Sequence, residues 1–224
     1  ETARSRGLGD VYKRQVLCVF KNLGEAMTEY SIEDYVTDIR LVVKEETDEG
    51  KIIDRIKPLS KKIAANKSWV KPEYFNVDKE QGFGLHLLHE EKDHSLAVFA
   101  IAWAPGEGLA PHNHKTWAVV AGIQGQEHET SYKRIDDGTT EGFADLVKTN
   151  EETIYAGDAT CCLPEDIHSV WNNGREIALS IHTYGKHLNH TGRSIFDINQ
   201  KTETPCIVCL LYTSPSPRDI AVSR

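Results

Sequence analysis

Methionine is nearly absent from this chain, with Met27 the only one among 224 residues. No apolar run approaches the roughly 20 residues that a membrane-crossing helix needs, which argues against a spanning protein. The short stretch Val16–Phe20 lacks the length and the cleavage site of a secretory leader. Basic residues are the minority, 26 Lys and Arg against 34 Asp and Glu, for a net charge of −8. Such a surface argues against nucleic acid and anionic membranes as main partners. Cysteine is sparse, five in all, with no zinc-knuckle spacing. Cys161 and Cys162 are adjacent, a poor disulfide geometry, so the expectation is a reduced, cytoplasmic protein.

Two segments read as foreign to the rest. Ser5–Gln15 and Cys209–Asp219, back-translated with suitable codons, become opposite strands of one DNA that resembles a sequencing-library adapter. The expectation is that residues 1–15 and 209–224 carry no biological information, pack on nothing in the core, and can be trimmed with little change in thermal stability. Residues 16–26 then read as translated upstream DNA, with the native start near Met27. Both end segments hold more basic than acidic residues, so the remaining span is more acidic still.

What remains suits one domain with a sizeable core. An N-terminal helical region spans residues 16–82. Ser31 can cap a helix, with Glu33 and Asp34 in its first turn, and Ile32, Tyr35, Val36, Ile39 and Val42 recur at helical spacing. Ile52, Ile56, Leu59 and Ile63 support a second helix, bent or broken at Pro58. From Phe83 to residue 208 the pattern changes to short strands separated by Gly, Pro, Asn and Asp. Eight are expected: Leu85–His89, Leu96–Trp103, Thr116–Ile123, Glu127–Arg134, Glu152–Tyr155, Ala159–Leu163, Ser169–Trp171 and Ile177–Tyr184. Many short strands with close turns mean an antiparallel sandwich or barrel.

Two histidine clusters carry the chemistry. Pro111-His112-Asn113-His114 sets two imidazoles two residues apart, which on a strand point to one face. Pro164-Glu165-Asp166-Ile167-His168 reads as a turn entering a strand. If that strand neighbours the first, three neutral nitrogens converge and leave positions open for substrate and oxygen. A lone His-x-His pair is explained as easily by unrelated surface and core histidines. One of Cys161 and Cys162 should face inward. His187 and His190 read as loop residues, and His86, His89, His94 and His128 as surface or barrel-exterior groups.

The spacing around these clusters resembles a known family. Gly106, five residues, His112-x-His114 and then Gly125 resemble the first cupin motif. Gly157, Pro164, His168 and Asn172 resemble the second, shortened by one residue. The glutamate ligand usual in the first motif is replaced by Ala118 or Val119. Ser180-Ile181-His182-Thr183-Tyr184 resembles the Ser-x-His-x-Tyr triad of the thiol dioxygenases, and alternation puts its three polar side chains on one face. The likeness runs from about Phe83 to Phe196. It includes Trp103-x-Pro105-Gly106, His114-x-x-Trp117 and Gly122-x-x-Gly125-x-Glu127, and it is nearest the bacterial cysteine-dioxygenase-like proteins.

The resemblance implies a mainly β fold, a cupin double-stranded β-helix with N-terminal helices. It implies one iron(II) per chain, or another divalent metal, on His112, His114 and His168, with Tyr184, His182 and Ser180 catalytic. A small thiol and O2 are the implied partners and a sulfinic acid the product. The family's carboxylate-holding arginine or glutamine is matched here by Leu85, which cannot clamp an acid. Arg193 is a candidate replacement, and Leu85 and Trp117 are further candidates for lining the substrate site. Two other readings stay open: a cupin oxygenase or isomerase on a non-thiol substrate, and a metal-dependent sensor without turnover.

Overall fold

A computed structural model describes residues 30–207. The expectations for residues 1–29 and 208–224, including the adapter-like ends, Cys18, Met27 and Cys209, lie outside the described residues. No helix among the described residues is long and apolar enough to cross a membrane.

Helix α1, Ile32–Glu45, starts at a capping box in which Ser31 and Asp34 each bond the other's backbone N–H. Helix α2, Glu49–Ala65, is capped by Asp48. It runs through Pro58, so of the expected bend or break the break does not occur. Pro58 and Asp54, whose carbonyl loses a partner, both face solvent, where water can replace the missing bond. A short 3-10 turn at Pro72–Phe75 leads to the strands.

The strands are β1 Phe83–Glu90, β2 Ala97–Trp103, β3 Gly108–His112, β4 Ala118–Gln124, β5 Gln126–Arg134, β6 Leu146–Tyr155, β7 Ala159–Cys162, β8 Ile167–Trp171, β9 Ala178–Tyr184, β10 Ser194–Asp197 and β11 Thr202–Pro205. They form a five-stranded sheet in the order β1-β2-β9-β4-β7 and a six-stranded sheet in the order β11-β10-β3-β8-β5-β6. The antiparallel pairs nest: β5 with β6, β4 with β7, β3 with β8, β2 with β9, alternating between the sheets. A folded hairpin wound in this way is the double-stranded β-helix, or jelly roll. Gly125, at φ +71° between β4 and β5, makes the corner, and a Cβ there would lie 2.9 Å from the Ala178 Cα.

The first sheet is covered on both faces, which explains why β2 and β9 are buried at every residue. Val98, Ala100, Val119, Ala121, Leu179 and Ile181 pack against α1 and α2. Their neighbours Ala97, Phe99, Ile101, Ala118, Ala178 and Tyr184 face the barrel interior. The helices thus fix which face of β9 looks inward. Tyr35 of α1 is fully buried, and its hydroxyl lies 2.6 Å from both the Ser60 and the Thr183 hydroxyls, tying both helices to β9. Tyr35→Phe should cost about 1–3 kcal/mol of unfolding free energy, because it strands a buried Thr183 hydroxyl, as measured by denaturant titration.

Strands β3, β10 and β11 have no counterpart among the expected ones. Their sequences, GLAPH, SIFD and TETP, are too short for a period to show. Thr116 and Trp117, expected in a strand, precede β4, and β6 begins at Leu146 rather than Glu152. His86 is on the outer face of the barrel as expected, but it is buried there rather than exposed: its Nε2 lies 3.0 Å from the Asn76 carbonyl oxygen and its ring packs on Tyr74.

Candidate metal centre

The second sheet supplies two of the three histidines directly. His112 ends β3 and sits opposite His168 of β8 in the antiparallel register. His114 does not lie on that strand. It follows two residues on, just past the strand's end, where Asn113 N–H still bonds the Ser194 carbonyl. The chain then turns at Lys115, in the left-handed region at φ +53° with its N–H bonded to the Pro164 carbonyl.

The three rings nevertheless converge. Their centroids are 4.6 Å apart for His112 and His168, 4.9 Å for His114 and His168, and 5.1 Å for His112 and His114. All three are buried, and their nitrogens lie within 4.8 Å of one another. The Nε2 atoms of His114 and His168 are 3.3 Å apart, close to the roughly 3 Å between adjacent ligands on an ion with metal–nitrogen bonds of about 2.1 Å.

The partners of the remaining nitrogens favour binding through Nε2. His112 Nδ1 lies 2.9 Å from the Ala110 carbonyl oxygen, to which it can only donate. His168 Nδ1 lies 2.8 Å from the buried Glu129 carboxylate, the carboxylate–histidine arrangement that fixes ring orientation beside a metal. His114 Nδ1 has no partner among the described residues. Burial, then the neighbouring His168, holds His112 and His114 well below the usual imidazole range, so both are in the neutral, ligating form. Burial also opposes charge on His168, but Cys162 and Glu129 outweigh it and hold that ring well above its usual range. An ion on Nε2 would take over the role of that proton. These three residues therefore fit a divalent transition metal.

Glu129 was not anticipated. It sits on β5, whose sequence QEHETSYKR is polar throughout and shows no inward face, although Glu127 and Glu129 two apart are both buried. Glu129→Ala should weaken metal binding roughly ten- to a hundredfold, measured by chelator competition, since it frees the His168 ring to rotate.

Strand β9 brings the other set from the opposite sheet. Ser180 Oγ lies 2.7 Å from His182 Nε2, and His182 Nδ1 lies 3.0 Å from the Tyr184 hydroxyl. All three are buried, and the Tyr184 ring packs 5.1 Å from that of His114. Burial, helped by His168, pushes His182 down to about 3, so it is neutral at physiological pH. Burial raises Tyr184 above its usual value against the pull of Arg193, which keeps the phenol protonated. Burial also pushes Glu127 up to about 7.

The three histidines, His182 and Tyr184 open on a small cavity of about 20 Å³ walled by apolar side chains, among them Phe83, Leu85, Ile101 and Leu188. Arg193 lines it too. That side chain is buried, with no hydrogen-bond partner for Nε or Nη2 among the described residues. Trp117 is not brought to this cavity: it packs with the helices and over Gly185, where an added Cβ would lie 2.3 Å from the indole nitrogen. Cys162 faces the interior, its Sγ 3.9 Å from His168 Nδ1, while Cys161 packs toward the helices. Ala118, not Val119, stands opposite Tyr184, so no thiol occupies that position to modify the phenol. Asn172 of the second motif has a structural task, bonding the Trp103 and Glu176 carbonyls at 2.9 and 2.8 Å.

Strand pairing and histidine geometry together define a double-stranded β-helix with a candidate three-histidine metal centre. No protein-family model matches the chain. Among solved structures it is similar to oxalate oxidase in complex with the substrate analogue glycolate, at 16% identity and TM-score 0.40, over 50% of this chain and 54% of that one. It is also similar to an uncharacterised conserved protein with a double-stranded beta-helix domain from Klebsiella pneumoniae, at 19% identity and TM-score 0.39, over 55% and 90%. A third likeness, at 14% identity and TM-score 0.37, is to KdgF from Halomonas, over 49% and 84%. The chain spans about half the length of the oxalate oxidases it matches.

Proposed function

We propose that this protein is an iron(II)-dependent thiol dioxygenase that converts a small thiol bearing an acidic group, with O2, to the sulfinic acid. The observation that carries the reading is the hydrogen-bonded chain Ser180–His182–Tyr184 ending beside His114. His112, His114 and His168 would hold the metal, and iron(II) there supplies the redox chemistry that makes O2 reactive toward sulfur. The balance is simple: one thiol and one O2 give one sulfinic acid, with both oxygen atoms on sulfur and the proton retained on the product.

The protein's own groups divide the remaining work. Tyr184 can donate outward only if its oxygen accepts from His182 Nδ1–H, which requires Ser180 to donate to His182 Nε2. The chain therefore fixes the direction of one phenolic proton at the reacting end of the cavity. Arg193 supplies a buried cation whose two unpartnered nitrogens suit an anionic substrate end, the task Leu85 cannot perform. The apolar wall keeps water from the reacting atoms, which strengthens both interactions.

Leu85 in the cavity favours a second reading, an oxygenase or isomerase acting on a non-thiol substrate. Oxygen uptake by the iron-loaded protein, measured across thiols with and without a carboxylate and across non-thiol acids, separates the two. Uptake that needs both the thiol and the acid supports the proposal. Uptake only with non-thiol acids, or none at all, ends it.

A further inference from the structure

Beside this centre lies a second cluster of ligating side chains that the proposed reaction does not use. Glu90 ends β1, His94 turns the β1–β2 hairpin, and His187 caps the short 3-10 turn Leu188–His190 after β9, which His190 ends. Three separate observations bring them together. One ligand atom each from Glu90, His187 and His190 lies within 4.8 Å of the others. His94 Nδ1 is 2.6 Å from Glu90 Oε1, and its ring stacks on His190 at 3.7 Å and 9°. The His187 N–H bonds the His94 carbonyl at 2.9 Å, which locks the two loops to each other.

We propose that Glu90, His187 and His190 form a second metal site, for a divalent cation of the zinc class, with His94 as the positioning residue for Glu90. The donor set is two imidazoles and a carboxylate, which zinc accepts with a water as the fourth ligand. The graded burial suits that: His187 is buried, Glu90 half-buried and His190 exposed, so the open position meets solvent. Ligands on a tetrahedral zinc stand about 3.3 Å apart, so these atoms need draw in by no more than roughly 1.5 Å, a small rotation for loop side chains. His94 fixes Glu90 much as Glu129 fixes His168, with the roles of carboxylate and imidazole exchanged. One bond is lost in return: Asn189 N–H donates to His187 Nδ1 at 3.2 Å, and an ion on Nε2 moves the proton to Nδ1.

The site has a structural consequence. His187 packs on Phe99, which packs on Tyr184, and the same segment carries Leu188 and Arg193 into the first cavity. An ion here would pin the segment 185–193 to the β1–β2 hairpin.

Metal stoichiometry tests the proposal. The tag-free protein is stripped with chelator, equilibrated with Zn2+, desalted and assayed for metal per chain. Two ions are expected in the unaltered protein, one in His190→Ala and one in His114→Ala, with none when both changes are combined. His190 is exposed, so its removal should not disturb folding, and Glu90→Gln should likewise remove one ion. If the first centre is misread, one ion remains that His190→Ala removes and His114→Ala spares, and the second site still stands. A single ion that only His114→Ala removes overturns it, as does a count unchanged by both His190→Ala and Glu90→Gln.

Discussion

His114→Ala is expected to lose metal by about two orders of magnitude in affinity while the protein stays folded. Of the three histidines it gives the cleanest test. Among the described residues its Nδ1 bonds nothing, and its Nε2 approaches only His168 Nε2, where the ion would sit. Removing the ring therefore strands no hydrogen-bonding group. His168→Ala is the poorer variant, because it leaves the buried Glu129 carboxylate unpaired, which costs about 3–5 kcal/mol of stability on its own. The magnitude follows from structural zinc sites, where binding is worth about 10–16 kcal/mol over four ligands, or roughly 3 kcal/mol per ligand. Metal content after dialysis against a weak chelator, read beside a denaturation curve, checks both halves. Full metal content in folded His114→Ala would remove that residue from the centre.

Tyr184→Phe should keep its iron and lose roughly ten- to a thousandfold in turnover, the scale of one positioned donor or acid. The hydroxyl bonds His182 Nδ1 at 3.0 Å and touches no metal ligand through a hydrogen bond, so deletion leaves the three-histidine set intact. The phenyl ring still packs on Phe99 and His114. His182→Ala should lose less, since its part is to orient the phenol rather than to meet substrate. The comparison is made on the thiol that the unaltered protein oxidises fastest, with iron measured on the same samples. An unchanged rate in iron-loaded Tyr184→Phe would take the β9 chain out of the reaction.

Much of this site is legible in the sequence because its signals are local. The Ser31 cap and the apolar spacing of α1 announce a helix without help from the rest of the chain. The relay on β9 follows from alternation alone: residues 180, 182 and 184 share one face of a strand. Which face looks inward is not local, and Tyr35 and the two helices settle it. His112, His114 and His168 converge as the spacing of the two histidine clusters implies, with His112 ending a five-residue strand and His114 two residues on. Glu129 could not be read from an all-polar strand, and the burial of His86 depends on a 3-10 turn ten residues away. His94, His187 and His190 read as unrelated surface and loop residues, because 93 positions of sequence separate two loops that the fold brings into contact.

The most direct test of the central claim is the fate of isotope-labelled dioxygen in a single turnover of the iron-loaded protein with a thiol acid. A thiol dioxygenase predicts that both oxygen atoms of the sulfinate carry the label, at one product per O2 consumed. Label recovered in water or peroxide, with the thiol unchanged or joined as a disulfide, would contradict it.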